Sequence, residues 1–497
     1  MNGTTIIAIA RSSVPLLAAL PAGVATVWVV TPAATQPAPL LRAALLDQVP
    51  LVVMPPVDVT ALREEDSRRA LSERPTPVRF AQPLSTDLSS TTHGLWETLA
   101  TGWHVWSLRI RSPGAFSLNL WLEHFEVPPG AALWLSDPEG AVVQGPYTAV
   151  HRNAAGGLWT PVVLGDEMVV ELIVPPRART SDVRISTVNH GYRLFGEPRS
   201  EASTKQGNCN IDVVCPEGDP WRDQIRSVAR ITIAGSLACT GQLLNNTAGD
   251  DTPYLLTAQH CVPSPSAAPS IISYWNYESP TCGALSGGDI TQNTTGADWV
   301  ASWSVADGSD FTLVVLDHDP EPSYDVHFAG WDARDSVPSG GVGIHHPSAD
   351  EKALCFDDDP PTITSYDGDV SPGDGNYLRI GEWELGTTEG GSSGSCLFDP
   401  STGLCVGTLT GGEAACGILL PDWYGRFHRH FTGGGTPQTR LRDWLDPLGI
   451  GALWLAGKDP DSPPTPTPTP TVTPTPTVPP TPTPTPIPDV IFGDGFE

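Results

Sequence analysis

A chain of 497 residues is too long for one ordinary domain and implies two or three. Its 39% of hydrophobic residues can fill large cores, while 49 Gly, 52 Pro and only 17% charged residues favour a loop-rich, all-β build. A formal net charge of −29 argues against nucleic acid or an anionic membrane as the main partner, because both repel an acidic surface.

At the N-terminus Arg11 precedes an apolar run that ends in small residues, which reads as a signal peptide over residues 1–37 with cleavage somewhere in 25–37. Pro15 and Pro21 speak against a membrane anchor in so short a run, and no later segment has the length of a transmembrane helix. Residues 38–75 are Ala/Leu/Arg-rich and partly helical in pattern. From about 77 to 195 come short alternating runs, among them Phe116-Ser-Leu-Asn-Leu-Trp-Leu and Met168-Val-Val-Glu-Leu-Ile-Val. Turn signals such as Pro128-Pro-Gly and Asp137-Pro-Glu-Gly separate them, so this stretch predicts an antiparallel β-sandwich. It holds no cysteine and no cluster of catalytic side chains.

Residues 196–208 are polar and unpatterned and read as a processing linker. All nine cysteines follow it, between Cys209 and Cys416, without the CxxC spacing of a zinc or redox site. Confinement to one segment predicts disulfides stapling a single domain in an oxidising, extracellular compartment, with an odd thiol left over.

Within that domain three local patterns carry chemistry. In Leu255-Leu-Thr-Ala-Gln-His260-Cys261 a strand ends in small residues and presents a histidine whose backbone an adjacent half-cystine would lock, with Cys239 as its partner. In Ser309-Asp310-Phe311 an aspartate stands immediately before an apolar strand, where a buried carboxylate can orient an imidazole. In Gly390-Gly-Ser-Ser393-Gly-Ser flanking glycines allow a sharp turn that exposes a hydroxyl and converges the N–H groups of Gly391 and Ser393 on an oxyanion. The order His260, Asp310, Ser393 is that of chymotrypsin-like hydrolases, whereas α/β-hydrolases place serine first. His345-His346 and His428-Arg-His430 lack companion carboxylates at metalloprotease spacing, and Asp357-Asp-Asp359 with Asp367-Gly-Asp369 lacks an EF-hand pattern and reads as a solvated loop. No metal and no cofactor is expected.

Helical spacing in Gln438-Thr-Arg-Leu-Arg-Asp-Trp-Leu ends at Asp446-Pro, and the domain is expected to close near residue 455. A Thr/Pro-rich linker over 456–488 predicts an extended polyproline II spacer, followed by a short tail, 489–497, that suits sorting or surface display.

The stretches Cys209-Asn-Ile-Asp-Val-Val-Cys215, Leu237-Ala-Cys-Thr-Gly-Gln-Leu-Leu, Ser273-Tyr-Trp-Asn-Tyr, Ala329-Gly-Trp-Asp, Gly343-Ile-His-His-Pro and Asp422-Trp-Tyr-Gly-Arg resemble the bacterial lysyl endopeptidases over nearly all of residues 206–448. The resemblance implies an all-β protein with a two-barrel, chymotrypsin-like protease domain at 206–455, preceded by a β-sandwich prodomain. It implies a secreted, monomeric serine endopeptidase that acts on proteins and peptides and cleaves after lysine by way of an acyl-enzyme. It also implies the disulfides Cys209–Cys416, Cys215–Cys282 and Cys239–Cys261. Cys355, Cys396 and Cys405 inherit no partners; a Cys396–Cys405 hairpin bridge is sterically reasonable and would leave Cys355 free.

By the same resemblance Asp422 is the carboxylate that receives the substrate's cationic side chain, with Gly411 and Gly412 beside it. Two positions depart from the family: Thr410 stands where it has a histidine, and Tyr366 is the nearest counterpart of a tryptophan. Both bear on the strictness of lysine over arginine and on pH optimum. Cleavage after lysine would make Lys205-Gln206 a site for the enzyme's own activity, so that 38–205 is a propeptide. The rival readings are a trypsin-like protease accepting arginine or another residue, and an adhesive or carbohydrate-binding protein with an inert protease-like domain.

Overall fold

A computed structural model describes residues 46–70, 75–178, 181–195, 197 and 206–462. The signal peptide, Lys205 and the Thr/Pro-rich linker beyond 462 with its tail lie outside the described residues.

The N-terminal part is two packed sheets. One has the order Leu51–Val53, His104–Arg111, Glu167–Val174, Ala132–Ser136, Val143–Tyr147, with Leu95–Thr98 also on His104–Arg111. The other runs Val163–Leu164, Ser117–Glu126, Asp182–Gly191, Ala81–Ser89, with Leu158–Trp159 on Ser117–Glu126. Alternation puts Leu118, Leu120 and Leu122 of one sheet against Trp106, Leu108 and Ile110 of the other, all fully buried. Two features lay outside the expected boundaries. Leu51–Val53 already belongs to the sandwich, parallel to His104–Arg111, and three residues are too few for their alternation to be read. Val78–Arg79 pairs with the C-terminal part instead, on Leu237–Leu244.

The C-terminal part is two β-barrel sheets, antiparallel except where Trp331 pairs in parallel with Cys405. The first has the order Asn293–Thr295, Ile272–Tyr274, Val228–Ile233, Leu237–Leu244, Tyr254–Thr257, Phe311–Leu316, Ala297–Trp303. The second centres on Gly341–His345, Cys396–Phe398, Cys405–Gly412, Asp422–Arg426 and Tyr377–Ile380. One buried cluster spans the seam, with Leu256, Phe311 and Leu313 from the first meeting Ile344, Phe398 and Phe427 from the second. The disulfides are Cys209–Cys416, Cys215–Cys282, Cys239–Cys261 and the hairpin bridge Cys396–Cys405, and Cys355 is a buried free thiol.

The helical spacing at 438–445 resolves into a 3-10 turn, Pro437–Thr439, and a single α-turn, Arg442–Leu445; Asp446-Pro stops it. Contacts run past 455: Trp454–Leu455 pairs with Trp331–Asp332, and Lys458 exchanges two 2.9 Å backbone bonds with Phe328. Asp357 is buried rather than solvated, and burial pushes its carboxyl up to about 6.

Candidate active site

His260 follows the strand Tyr254–Thr257, tied through its neighbour by Cys239–Cys261. Asp310 precedes the adjacent strand Phe311–Leu316 in left-handed backbone, φ +60°, a conformation aspartate accepts more readily than most residues. Strand pairing therefore delivers both side chains to one end of the first barrel. The fully buried Asp310 carboxylate holds the histidine twice: Oδ2 lies 2.8 Å from ring Nδ1, and Oδ1 accepts the backbone N–H of His260 at 3.0 Å. Burial alone would raise this carboxyl, but the opposing charge of His260, its ring and amide hydrogen bonds, and the Thr410 hydroxyl together hold it below the usual carboxylate range. It stays ionised. Nδ1 thus carries the proton and Nε2 is left as the acceptor.

Ser393 comes from the second barrel, in the loop before Cys396–Phe398. Its carbonyl oxygen accepts the Thr240 N–H at 2.9 Å, and the Thr240 hydroxyl donates to the Gly391 carbonyl at 3.0 Å. The Cys261 sulfur lies 3.7 Å from His260 Nε2 and 3.9 Å from the Ser393 carbonyl oxygen, so the serine's backbone and the free imidazole nitrogen meet around one atom. Within the loop the N–H groups of Ser392, Gly394 and Ser395 are bonded to carbonyls, whereas among the described residues those of Gly391 and Ser393 have no acceptor. Gly391 has φ +97°, and a Cβ there would collide with Ala349. This backbone leaves two amide donors beside the half-buried Ser393.

Asp422 opens the strand Asp422–Arg426 and is buried. Its Oδ2 accepts the Trp383 indole N–H at 2.8 Å and the Thr388 hydroxyl at 2.6 Å, while Oδ1 is buried with no partner among the described residues. Burial, only partly offset by those two donors and by the nearby Ala414 backbone N–H, pushes this carboxyl up to about 6. Gly412 pairs with Asp422 across the ladder, and any side chain on it would overlap Oδ1; Gly411 faces open space. Tyr366 packs 5.5 Å from the Tyr377 ring and 6.1 Å from that of Trp423. Burial and then the carboxylates of Asp310, Asp367 and Asp422 push its hydroxyl up to about 12. Thr410 is fully buried beside Asp310 and the Tyr377 hydroxyl.

Gln206 is buried at the start of this part, its backbone N–H donating to Asp350 Oδ2 at 3.3 Å. The four histidines weighed as metal ligands are each held at Nδ1 by a separate oxygen: His345 by Ser392 Oγ, His346 by Asp350 O, His428 by Ala333 O and His430 by Ser309 Oγ. Sequence reasoning missed Trp383 and Thr388, which grip Asp422, and His345, which fixes the serine loop.

Residues 203–425 match the family model described as lysyl endopeptidase, C-terminal domain, and residues 52–190 that of the lysyl endopeptidase N-terminal domain. A lysyl endopeptidase from Pseudomonas aeruginosa is 30% identical over 277 residues, covering 52% of this chain and 58% of the relative, so the chain spans less than two thirds of that relative's length. Among solved structures, a thermostable serine protease AL20 from an extremophilic microorganism is 13% identical, covering 41% of this chain and 92% of that one, with a TM-score of 0.30. A Glu endopeptidase is 17% identical, covering 44% and 93%, with a TM-score of 0.28. Scores this low add nothing to what the chain's own sheets establish.

Proposed function

We propose that this lysyl endopeptidase-like chain, matched in both its N- and C-terminal parts, is a secreted serine endopeptidase that cleaves proteins after lysine. The hydrolytic reading rests on the double hold of Asp310 on His260, which leaves Nε2 facing the Ser393 loop. Ser393 Oγ attacks the scissile carbonyl as His260 Nε2 takes its proton, and Asp310 stabilises the imidazolium. The N–H groups of Gly391 and Ser393 receive the oxyanion. His260 then protonates the departing amine, and water, activated by the same imidazole, hydrolyses the acyl-Ser393 ester.

Lysine preference is supported by the unpartnered Oδ1 of Asp422. A buried acceptor without a donor is costly, and an incoming ammonium supplies both charge and hydrogen. Four disulfides suit an extracellular site of action, and the substrates are proteins and peptides. Autolysis at Lys205-Gln206 would release the N-terminal part, making the first product a zymogen; N-terminal sequencing of the secreted protein should begin at Gln206. Mapping of cuts in a denatured protein mixture tests the specificity. Lysine should precede the scissile bond, and a majority of cuts after arginine or another residue would overturn the assignment to lysine while leaving the serine mechanism in place.

A further inference from the structure

Asp310 has two chain neighbours, and one buried ring touches both. His430 Nδ1 lies 2.8 Å from the Ser309 hydroxyl oxygen, and the His430 ring packs against that of Phe311 with centroids 4.9 Å apart. Ser309 and His430 are both fully buried. His430 belongs to the short helix Phe427–Thr432, which follows the strand Asp422–Arg426 directly and is seated in the core by Phe427 and Phe431 against Trp331. Its carbonyl oxygen accepts the Leu441 N–H at 2.9 Å, so its backbone is fixed as well. Gly425 passes so close that a side chain there would strike both the Ser309 carbonyl oxygen and His430 Cε1.

We infer that His430 is a positioning residue for the hydrolytic reaction: by holding Ser309 and Phe311 it keeps Asp310 in the left-handed turn from which one carboxylate reaches both the ring and the amide of His260. The inference rests on the reading of His260 as the base and Asp310 as the acid that orients it. A left-handed backbone is sparsely populated by residues other than glycine, and it persists only where the surroundings over-determine it. Asp310 has φ +60°. Relaxing that angle into the ordinary negative range would swing the side chain away from its 2.8 Å and 3.0 Å contacts with His260.

Packing alone does not account for an imidazole at this position. Its ring neighbours are Phe311 and Phe427, with centroids at 4.9 Å and 6.1 Å, and phenylalanine would fill the same space without taking two nitrogens out of water. Burial outweighs the opposing pull of Asp310 and of the Gly425 backbone and pushes the ring down to about 3, so it is neutral at working pH. A neutral imidazole has one donor and one acceptor. The Ser309 hydroxyl is the partner that offsets the lost hydration at Nδ1.

The test compares His430→Phe, His430→Asn, Ser309→Ala and the double variant Ser309→Ala with His430→Phe, each in the full-length secreted protein. Phenylalanine keeps the ring and loses the hydrogen bond, whereas asparagine loses the ring and keeps an amide atom near the place of Nδ1. Labelling of Ser393 by an organophosphate counts competent sites, so a misfolded fraction drops out, and kcat and KM per labelled site are measured on a lysine ester. His430→Phe and Ser309→Ala should each lower kcat at least 10-fold with KM within 2-fold of the unmodified chain. The double variant should fall no more than 2-fold below the poorer single one, because both changes remove one contact. His430→Asn should exceed His430→Phe at least 3-fold in kcat. A kcat loss under 10-fold in either single variant, a loss carried by KM, a double variant that falls further, or an asparagine variant no better than the phenylalanine one would overturn the inference alone. If instead Asp310→Asn keeps kcat within 10-fold, or Ser393 fails to label in the unmodified chain, the triad reading falls and this inference with it.

Discussion

Gly394 and Thr257 stand so close that a methyl group on the glycine would overlap the threonine's hydroxyl oxygen, and the Thr240 carbonyl oxygen as well. Gly394 follows Ser393 in the second barrel, and Thr257 ends the strand that delivers His260 in the first. The seam therefore closes at this pair because one partner has no side chain. With φ +90° at Gly394, Gly394→Ala adds backbone strain of about 1 kcal/mol to the collision. We expect it to lower activity at least 100-fold and to slow organophosphate labelling in proportion; wild-type labelling rates would show that the seam gives way without moving the hydroxyl.

Ser393→Ala should abolish acylation and lower kcat by at least about 10³-fold, with folding unchanged. Asp310→Asn can no longer accept from both the ring and the amide of His260, and a loss of about 10⁴-fold in kcat is expected. Stopped-flow assays on a lysine ester measure both. A loss under 10-fold for Asp310→Asn would mean that the imidazole is oriented by some other group.

Under the proposed lysine specificity, Asp422→Asn removes the buried carboxylate that would meet the substrate's cation. We expect kcat/KM on lysine substrates to fall about 10²- to 10³-fold, mostly through KM for a slow ester. In the free enzyme this carboxyl titrates near 6 because it is buried. It is charged above that value and neutral below it, so binding of lysine is present above pH 6 and lost as pH falls through it. A pH profile of kcat/KM should show this step with a lysine substrate and lack it in Asp422→Asn.

His345 and His430 are fully buried, and burial pushes both down to about 3. An unfolded histidine titrates near 6.5, so between those values the unfolded chain binds more protons than the folded one. The stability they contribute is present above about pH 6.5 and lost as pH falls towards 3. Thermal unfolding from pH 7 to pH 4 should show a falling Tm, with a shallower slope for His430→Gln. An identical slope in that variant would assign acid sensitivity to other groups.

Much of this was readable in one dimension. The alternation of Leu118, Leu120 and Leu122 announces a half-buried strand wherever it folds, and His260 beside Cys261, Asp310 before Phe311 and Ser393 between glycines are local patterns whose chemistry depends on residue type. The pairing of Val78–Arg79 with Leu237–Ala238 was not readable, because two residues have no period and their partner lies some 160 positions away. The donors on Asp422 were equally hidden, since Trp383 and Thr388 converge on it from 39 and 34 residues away.

Residue identity and spacing alone determined the strand-rich build, the cysteine-bearing domain and which side chains are able to act as nucleophile, base and orienting acid. Folding decided what those groups are worth. Whether Asp310 stays ionised, whether Asp422 lacks a donor at Oδ1, and which amides of the serine loop remain unbonded depend on what water has been removed and what has replaced it. Solvation and proximity belong to the packed surroundings, not to a residue by itself.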